Sequence, residues 1–147
     1  MSNINIEKKK YESLTLDELY QIMDLRNRVF IMEQRILYVD TDFYDQHSSH
    51  YFIKDQEKII CYLRVVRRGV KFEEYSITRV VTDPKFRNQK LATRLIKDAL
   101  EDHKGYAIRI SAQAYLKTYY ESFGFKVVKG PYIEEDILHY EMLYGQV

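Results

Sequence analysis

The clearest structural pattern in this sequence lies in Ser76-Ile-Thr-Arg-Val-Val-Thr-Asp-Pro-Lys-Phe-Arg-Asn-Gln-Lys-Leu-Ala-Thr-Arg-Leu-Ile96. Its first half is rich in β-branched residues, which favour a buried strand, and Asp83-Pro84 ends that strand. From Leu91 onward, apolar residues recur at the spacing that lays one apolar stripe along a helix. The stretch therefore predicts a strand, a short turn and a helix.

The turn between this strand and this helix is unusually basic. It carries Lys85, Arg87 and Lys90 at the helix start, where the helix dipole is positive and backbone N–H groups are free. Cations there are unfavourable for a helix alone but favourable if an anion binds, because amides, dipole and side chains then act on one phosphate-like group. The charge pattern predicts an anion site and leaves open a solvated turn whose long side chains point into water.

Two motifs in this half of the chain resemble a known family. Residues 87–92, Arg-Asn-Gln-Lys-Leu-Ala, resemble the pyrophosphate loop R/Q-x-x-G-x-G/A of the GNAT acetyltransferases, with Arg87 and Ala92 matching. Residues 120–125, Tyr-Glu-Ser-Phe-Gly-Phe, resemble the second signature Y-x-x-x-G-F, whose tyrosine reaches the sulfur of the acyl carrier. Gln113 takes the place where many members have an asparagine at the pantetheine arm.

A closer resemblance, to the ElaA-like branch of the same superfamily, covers nearly the whole chain. That branch also carries a lysine at the position of Lys90, where most relatives have the first loop glycine. The resemblance implies an α+β fold with a mixed, mostly antiparallel sheet flanked by helices on both faces. The residues that carry it are Leu25-Arg26, Val29-Phe30, Glu33-Gln34, Tyr38, Asp40, Asp42, His50, Tyr62, Arg64, Arg79-Val80, Ala112-Gln113-Ala114, Tyr132, Glu134, His139 and Met142.

Composition limits the class of protein. A chain of 147 residues with 46% hydrophobic residues suits one domain over residues 1–147. The 23 Lys and Arg residues against 22 Asp and Glu leave a net charge of +1, so we expect no nucleic-acid or membrane partner. Residues 1–10 have no apolar signal-peptide core, so a soluble cytoplasmic protein is expected. Cys61 lies in an apolar run and is predicted to be a core residue.

The remaining elements follow from local patterns. A capping box at Thr15-Leu16-Asp17-Glu18 begins a helix that is expected to reach about Glu33. Arg26 and Glu33 fall on the apolar stripe of this helix, so both are expected to face the core or a cleft. Residues 36–49 carry three aspartates and predict an acidic loop, either solvated or lying beside a cleft that suits a cationic amine.

The predicted order of elements is β-α-β-β-β-α-β-α-β-β, a meander followed by two helical crossovers. Further strands are predicted over residues 4–10, 50–54, 58–67, 106–111, 125–128 and 137–143, and a short helix over residues 114–123.

The resemblance implies acetyl transfer from acetyl-CoA to an amine of a small molecule or peptide, by direct attack. Tyr120 is the implied general acid toward the thiolate, since a phenol with a pKa of about 10 stays protonated at neutral pH. The implied acetyl-CoA contacts are Val80, Val81, Thr82, Arg87, Asn88, Gln89, Lys90, Leu91, Ala92, Thr93 and Gln113.

The base that accepts the amine's proton is open among Glu33, Asp40, His50, Glu74 and His139. Glu33 and His139 are favoured, because polar groups on an apolar stripe or strand need a purpose or a partner, although a satisfied core histidine is an equal alternative for His139.

On the acceptor side we place Asp40, His50 and Arg79. Arg64 and Arg79, in adjacent strands, are expected to pair with acidic residues or to hold an acceptor carboxylate. No metal is predicted, and a monomer or homodimer is expected.

Two other functions stay open at this stage. One is a catalytically silent module that binds acyl-CoA or a partner protein. The other is an acyl-homoserine-lactone synthase-like enzyme, since the segment over residues 26–45 is similar to that family's acidic Asp-x-Asp region.

Overall fold

The computed structural model describes residues 5–145, in which the elements follow the predicted order. The start of the strand predicted over residues 4–10 and both ends of the predicted 1–147 domain lie outside the described residues. The strands are β1 (Ile6–Lys10), β2 (Ser48–Asp55), β3 (Lys58–Val66), β4 (Ser76–Thr82), β5 (Ile108–Gln113), β6 (Lys126–Glu134) and β7 (Ile137–Tyr144). The α-helices are α1 (Leu16–Arg26), α2 (Leu91–Asp102) and α3 (Lys117–Glu121).

The strands form two antiparallel sheets that meet at one point. The orders are β1-β2-β3-β4 and β5-β7-β6, and a single parallel bridge joins Tyr75 to Ile108. There the N–H of Arg109 donates to the carbonyl of Tyr75 at 2.8 Å. Beyond this bridge β4 and β5 separate, so each leaves one backbone edge unpaired.

Helices cover both faces of the four-stranded sheet, which confirms the predicted α+β fold. Ile22 of α1 packs in one core cluster with Phe52 and Tyr62, whereas Leu95 of α2 packs in the other with Leu63. Alternate strand residues point to opposite faces, so the two clusters lie on either side of the sheet. No helix within residues 5–145 is long and apolar enough to cross a membrane.

Cys61 lies in the core, as predicted. Its side chain is fully buried in β3, and this burial raises the pKa of the thiol to about 11. The thiol is therefore protonated at neutral pH and is a poor nucleophile.

The predicted capping box is present at the start of α1. Thr15 Oγ1 accepts the N–H of Glu18 at 3.0 Å, and Glu18 Oε1 accepts the N–H of Thr15 at 2.9 Å. Burial alone would raise the pKa of Glu18, but the Thr15 N–H and the ammonium groups of Lys54 and Lys9 lower it to about 2. The same carboxylate thus ties α1 to β1 and β2.

The end of the first helix differs from a regular α-helix. The helix does reach Glu33, but it becomes π-helical over Asn27–Glu33. Arg26 is fully buried, as its place on the stripe predicted, whereas the side chain of Glu33 is 42% exposed. A π turn holds more residues than an α turn, so the stripe extrapolated at helical spacing no longer points to the core.

The predicted acidic loop is not a solvated surface loop, because two of its aspartates are buried. Asp40 and Asp45 are buried, and both contact the guanidinium group of Arg26. A fully buried arginine requires counter-ions, and the aspartates of this segment fold inward to supply them.

β6 is much longer than predicted. It continues to Glu134 through Gly130 and Pro131, although proline usually interrupts a sheet. Within residues 5–145, β6 is the edge strand of its sheet and has a neighbour, β7, on one side only. On its open side the described part of the chain has no strand to which the missing N–H of the proline could donate a hydrogen bond. The β6–β7 hairpin therefore extends far enough to form one wall of the cleft described next.

Candidate active site

A cleft of about 800 Å³ opens where β4 and β5 separate. Its walls come from β4, β5, the π-helical turn, the segment over residues 36–44 and the β6–β7 hairpin. The predicted site residues that line it are Glu33, Arg79, Val80, Val81, Thr82, Arg87, Ala92, Gln113, Tyr120 and His139. A smaller pocket of about 240 Å³ adjoins it and adds Asn88, Lys90, Leu91 and Thr93. Gln89, Asp40 and His50 line neither.

The wall formed by β4 is irregular. The pairing of β3 with β4 changes register between Tyr62 and Arg64 of β3. Opposite this change, Arg79 of β4 has a positive φ of 56°. A bulge of this kind bends the strand and increases its twist. β4 pairs with β3 along one edge only, so backbone groups of Val80 and Thr82 lie on the other edge. The Thr82 carbonyl accepts a hydrogen bond from Arg87 Nε at 3.3 Å, a contact that is released if Arg87 moves to a ligand.

The turn before α2 presents free backbone amides. The N–H of Arg94 bonds to the carbonyl of Lys90 at 3.1 Å, so the N–H groups of Leu91, Ala92 and Thr93 precede the first intrahelical bond. No side chain within residues 5–145 caps this helix start. The turn thus has the features of an anion-binding helix N-terminus.

Lys90 adopts a left-handed conformation at the N-cap of α2. Its φ of 58° lies in the region that glycine occupies without steric cost. This explains physically why a glycine suits this position of the loop motif. Lys90 is exposed and lines the smaller pocket at this turn.

Arg87 does not point freely into solvent. Its guanidinium donates two hydrogen bonds to the Glu33 carboxylate, at 2.7 and 2.6 Å, across 54 residues of sequence. This hydrogen bonding lowers the pKa of Glu33. Both side chains are about 40% exposed, and ion pairs of this exposure are worth little, so an incoming anion can replace Glu33 at small cost.

Tyr120 lies on α3 with its ring buried against Tyr119 and Phe125. Burial raises the pKa of its phenol well above the ordinary value. Within residues 5–145 no group hydrogen-bonds its hydroxyl, which is therefore free to donate. A phenol held protonated beside a cleft can donate a hydrogen bond or a proton to an anion that develops there.

Gln113 closes β5 and carries an unsatisfied polar atom. Its amide nitrogen donates weakly to Gln34 at 3.4 Å, and its side-chain oxygen is buried with no partner inside residues 5–145. Buried polar atoms without partners are uncommon, and an amide N–H of a ligand would satisfy this one.

His139 lies in β7 with a defined tautomer. Its Nδ1 lies 2.8 Å from the carbonyl oxygen of Ile137, which only accepts, so Nδ1 carries the hydrogen. In the neutral ring Nε2 is then the nitrogen with the lone pair, and it lies 3.9 Å from Glu134 Oε2. The ring stacks on Tyr132, and the residue lines the cleft. A neutral imidazole with a free Nε2 is chemically able to accept a proton.

Behind the cleft lies a buried network of arginines and aspartates. Arg64 is fully buried and donates to Asp42 at 2.8 and 2.7 Å and to Asp45 at 2.9 Å. Arg79 forms ion pairs with Asp40 at 2.9 Å and Asp42 at 3.3 Å. Of the two roles predicted for Arg64 and Arg79, this geometry corresponds to pairing with acidic residues.

This network corrects the expected placement of two acceptor-side residues. Asp40 is engaged by Arg26 and Arg79 and lies behind the cleft wall. His50 is fully buried, with Nδ1 2.6 Å from the Tyr62 hydroxyl, and burial lowers its pKa. Both residues therefore lie behind the cleft wall and do not line the cleft. The reason is that the buried guanidinium groups of Arg26 and Arg64 bind the aspartates of residues 40–45.

Several cleft residues were missed by sequence reasoning. They come from segments without a clear pattern, chiefly the segment over residues 36–44, the loop before β4 and the β6–β7 hairpin. No local periodicity marks them, and only the fold brings them together. They include Tyr44, Lys71 and Tyr115, whereas Gln34, Tyr38 and Glu134 were matched as part of the family resemblance without a predicted site role. Within residues 5–145 no three His, Cys, Asp or Glu side chains are grouped so as to hold a metal ion.

Comparison with known proteins gives consistent matches. A family model described as acetyltransferase (GNAT) domain matches residues 11–144. A UPF0039 protein from Synechocystis is 30% identical over 146 residues, which cover 96% of this chain and 95% of that protein. The structure of an acyl-CoA N-acyltransferase from Pseudomonas aeruginosa is 31% identical with a TM-score of 0.92, covering 97% of this chain and 100% of that one. The structure of Escherichia coli ElaA has a TM-score of 0.89 at 28% identity, with the same coverage.

Proposed function

This chain belongs to the acetyltransferase (GNAT) domain family, as its ElaA-like motifs predicted, and from that premise we propose that it transfers an acetyl group from acetyl-CoA to the amine of a small molecule or peptide. One observation carries the proposal. The uncapped start of α2 lines the smaller pocket and Tyr120 lines the cleft, and Thr82, Arg87 and Ala92 line both, so a ligand anchored at the first can extend toward the second. Acetyl-CoA combines an anionic anchor with a reactive thioester at the far end of a flexible arm.

The residues at the turn suit the pyrophosphate of this cosubstrate. Amides of Leu91, Ala92 and Thr93 supply donors, and Arg87 supplies a cation once it leaves Glu33. The pantetheine amides are matched by the open edge of β4 and by the unsatisfied oxygen of Gln113. Together these groups hold the thioester in one orientation, which lowers the entropic cost of reaction.

In the proposed reaction the amine nitrogen forms a bond to the carbonyl carbon as the C–S bond breaks. Tyr120 donates its proton to the departing sulfur and regains one from solvent. The proton lost by the amine passes to a base on the opposite side of the cleft. For that base we favour His139, whose Nδ1 is held by the Ile137 carbonyl so that Nε2 is the nitrogen left to accept a proton. Glu33 is the alternative once Arg87 has moved to the pyrophosphate.

The test of the function begins with calorimetric titration of acetyl-CoA and continues with thiol release over a panel of amines and peptides. Binding together with thiol release for at least one amine is the expected result. Binding without release for any amine would instead support a silent acyl-CoA-binding module. Absence of binding would overturn both.

Replacing Arg87 with alanine is expected to weaken acetyl-CoA binding about tenfold, because a charge-assisted contact to the pyrophosphate is lost. The deficit should grow at low ionic strength, where screening is weaker. The matched control is Arg94→Ala, an exposed arginine on α2 outside both pockets. If Arg87→Ala and the parent give equal dissociation constants at every salt concentration, the anion-site proposal is wrong.

Replacing His139 with glutamine is expected to lower kcat/KM about tenfold, a modest loss for a general base because Glu33 and water remain as proton acceptors. Glu33→Gln should keep most of the parent's kcat/KM and bind acetyl-CoA at least as tightly as the parent, since Arg87 is then free. A larger loss of kcat/KM in Glu33→Gln than in His139→Gln would assign the base to Glu33.

A further inference from the structure

The charged groups on the cleft wall are mostly neutralised by one another. Arg87 is paired with Glu33, and Arg79 is paired with Asp40 and Asp42. Lys71 is different, because no carboxylate oxygen within residues 5–145 lies within 4.0 Å of its Nζ. It is therefore a cleft-lining cation without a counter-ion in the described part of the chain.

Lys71 is held in place by aromatic rings. Its Nζ lies 5.5 Å from the ring centroids of both Tyr44 and Phe72. Cation–π contacts of this kind orient an ammonium but do not neutralise it. Burial lowers the pKa of Lys71, and the charged groups that face it are Glu134 and Asp42, which raise the pKa, and Arg79 and Arg64, which lower it.

Opposite charges lie on the facing hairpin. Glu134 and Glu135 line the same cleft, and Glu134 is within electrostatic reach of Lys71 without pairing to it. Glu134 also lies 3.9 Å from His139, the favoured base. The cleft thus offers a cation on one wall and carboxylates beside a proton acceptor on the other.

We propose that Lys71 binds a carboxylate of the acceptor, so that the acceptor is a small molecule that carries an amine and a carboxylate together. Its ammonium group approaches Glu134 and His139 before deprotonation, and its carboxylate lies against the Lys71 ammonium. This inference rests on the proposed acetyl transfer and specifies its substrate class. The reaction adds the acetyl group to the nitrogen and leaves the carboxylate unchanged.

The position of Lys71 favours an acceptor over the pyrophosphate of acetyl-CoA. Its neighbours are Tyr44, Phe72 and Glu134, none of which lines the pocket at the start of α2. Arg79 is less suited to the same role, because its guanidinium is already shared by two aspartates.

The test compares matched acceptors that differ only in the carboxylate. Thiol release is measured for phenylalanine against phenethylamine, and for leucine against 3-methylbutylamine. The parent is expected to prefer the carboxylate-bearing member roughly 10- to 100-fold in kcat/KM, the range for a hydrogen bond to a charged group. Lys71→Met should reduce this ratio toward one through KM, whereas Lys71→Arg should retain most of it. Because the paired amines differ in basicity, the informative quantity is the change in ratio between variants.

A second measurement does not depend on turnover. N-acetylphenylalanine and N-phenethylacetamide are titrated calorimetrically into protein saturated with CoA, and Lys71→Met should weaken only the first, by roughly tenfold or more. Lys104→Met, an exposed lysine outside the cleft, is the control.

The two proposals fail differently. Acetylation of both members of a pair, with the same ratio in the parent and in Lys71→Met, would overturn the role of Lys71 and leave acetyl transfer intact. Acetylation of no amine would overturn the proposed function, and the product titration would then decide separately whether Lys71 binds a carboxylate.

Discussion

Replacing Tyr120 with phenylalanine is expected to lower kcat for acetyl transfer roughly 100-fold, within the range of general acid–base catalysis. The dissociation constant for acetyl-CoA should stay within about twofold, since the substitution removes a hydroxyl and no anchoring group. The ring packs edge-on against Tyr119 and Phe125, at centroid distances of 5.4 and 5.8 Å, and phenylalanine preserves both contacts. The loss of kcat would therefore measure the contribution of the Tyr120 hydroxyl proton alone. Rates are measured by thiol release under saturating acetyl-CoA.

The control for this experiment is Tyr144→Phe. Tyr144 packs on the same Phe125 ring, at 5.3 Å, but does not line the cleft. Its loss of a hydroxyl should leave kcat unchanged. An unchanged kcat in Tyr120→Phe as well would remove Tyr120 from the chemistry and leave the thiolate to be protonated by water.

The second large effect is expected in stability. Arg64→Met should lower the free energy of unfolding by about 3–5 kcal/mol, the usual loss when one partner of a buried ion pair is removed. Methionine keeps much of the volume, but Asp42 and Asp45 lose their shared cation and Thr78 loses the donor that lies 2.7 Å from its hydroxyl. Urea unfolding of the parent and the variant measures the difference.

The matched control is Arg67→Met, at the exposed position directly after the same strand, where the arginine lies 3.4 Å from a nitrogen of His47. Its unfolding free energy should change by less than about 0.5 kcal/mol, as for most exposed positions. A comparable loss in both variants would show that the effect of Arg64 is not specific to its buried partners.

The pH dependence of this difference has a defined sign. Burial alone would raise the pKa of Asp42, but hydrogen bonding and charge from Arg64 lower it to about 2. A carboxyl with a depressed folded pKa stabilises the fold above its unfolded pKa of about 4 and loses that contribution as the pH falls toward 2. The difference in unfolding free energy between the parent and Arg64→Met should therefore become smaller as the pH falls from about 4 to 2. A difference that grows in acid would contradict the conclusion that Arg64 lowers the pKa of Asp42.

Local patterns in the sequence were sufficient to predict most of the fold and the turn at residues 87–92, which we propose anchors the ligand. The capping box of α1, the stripe of α2 and the order of strands depend on residues a few positions apart, so their spacing identifies them. The loop motif at residues 87–92 and the tyrosine at the end of α3 are equally local. These features needed no knowledge of how distant segments meet.

The other half of the cleft, where we propose that the acceptor binds, depends on contacts that no spacing in the sequence encodes. Glu33 reaches Arg87 across 54 residues, and its direction is set by a π-helical turn that helical periodicity does not reveal. Lys71 and Glu134 come from a loop and a hairpin that face each other only after β4 and β5 separate. Residues close in sequence constrain one another through backbone geometry, whereas these residues are related only through packing. That is why the family and the proposed acetyl-CoA site were predictable from the chain, and the charges proposed to select the acceptor were not.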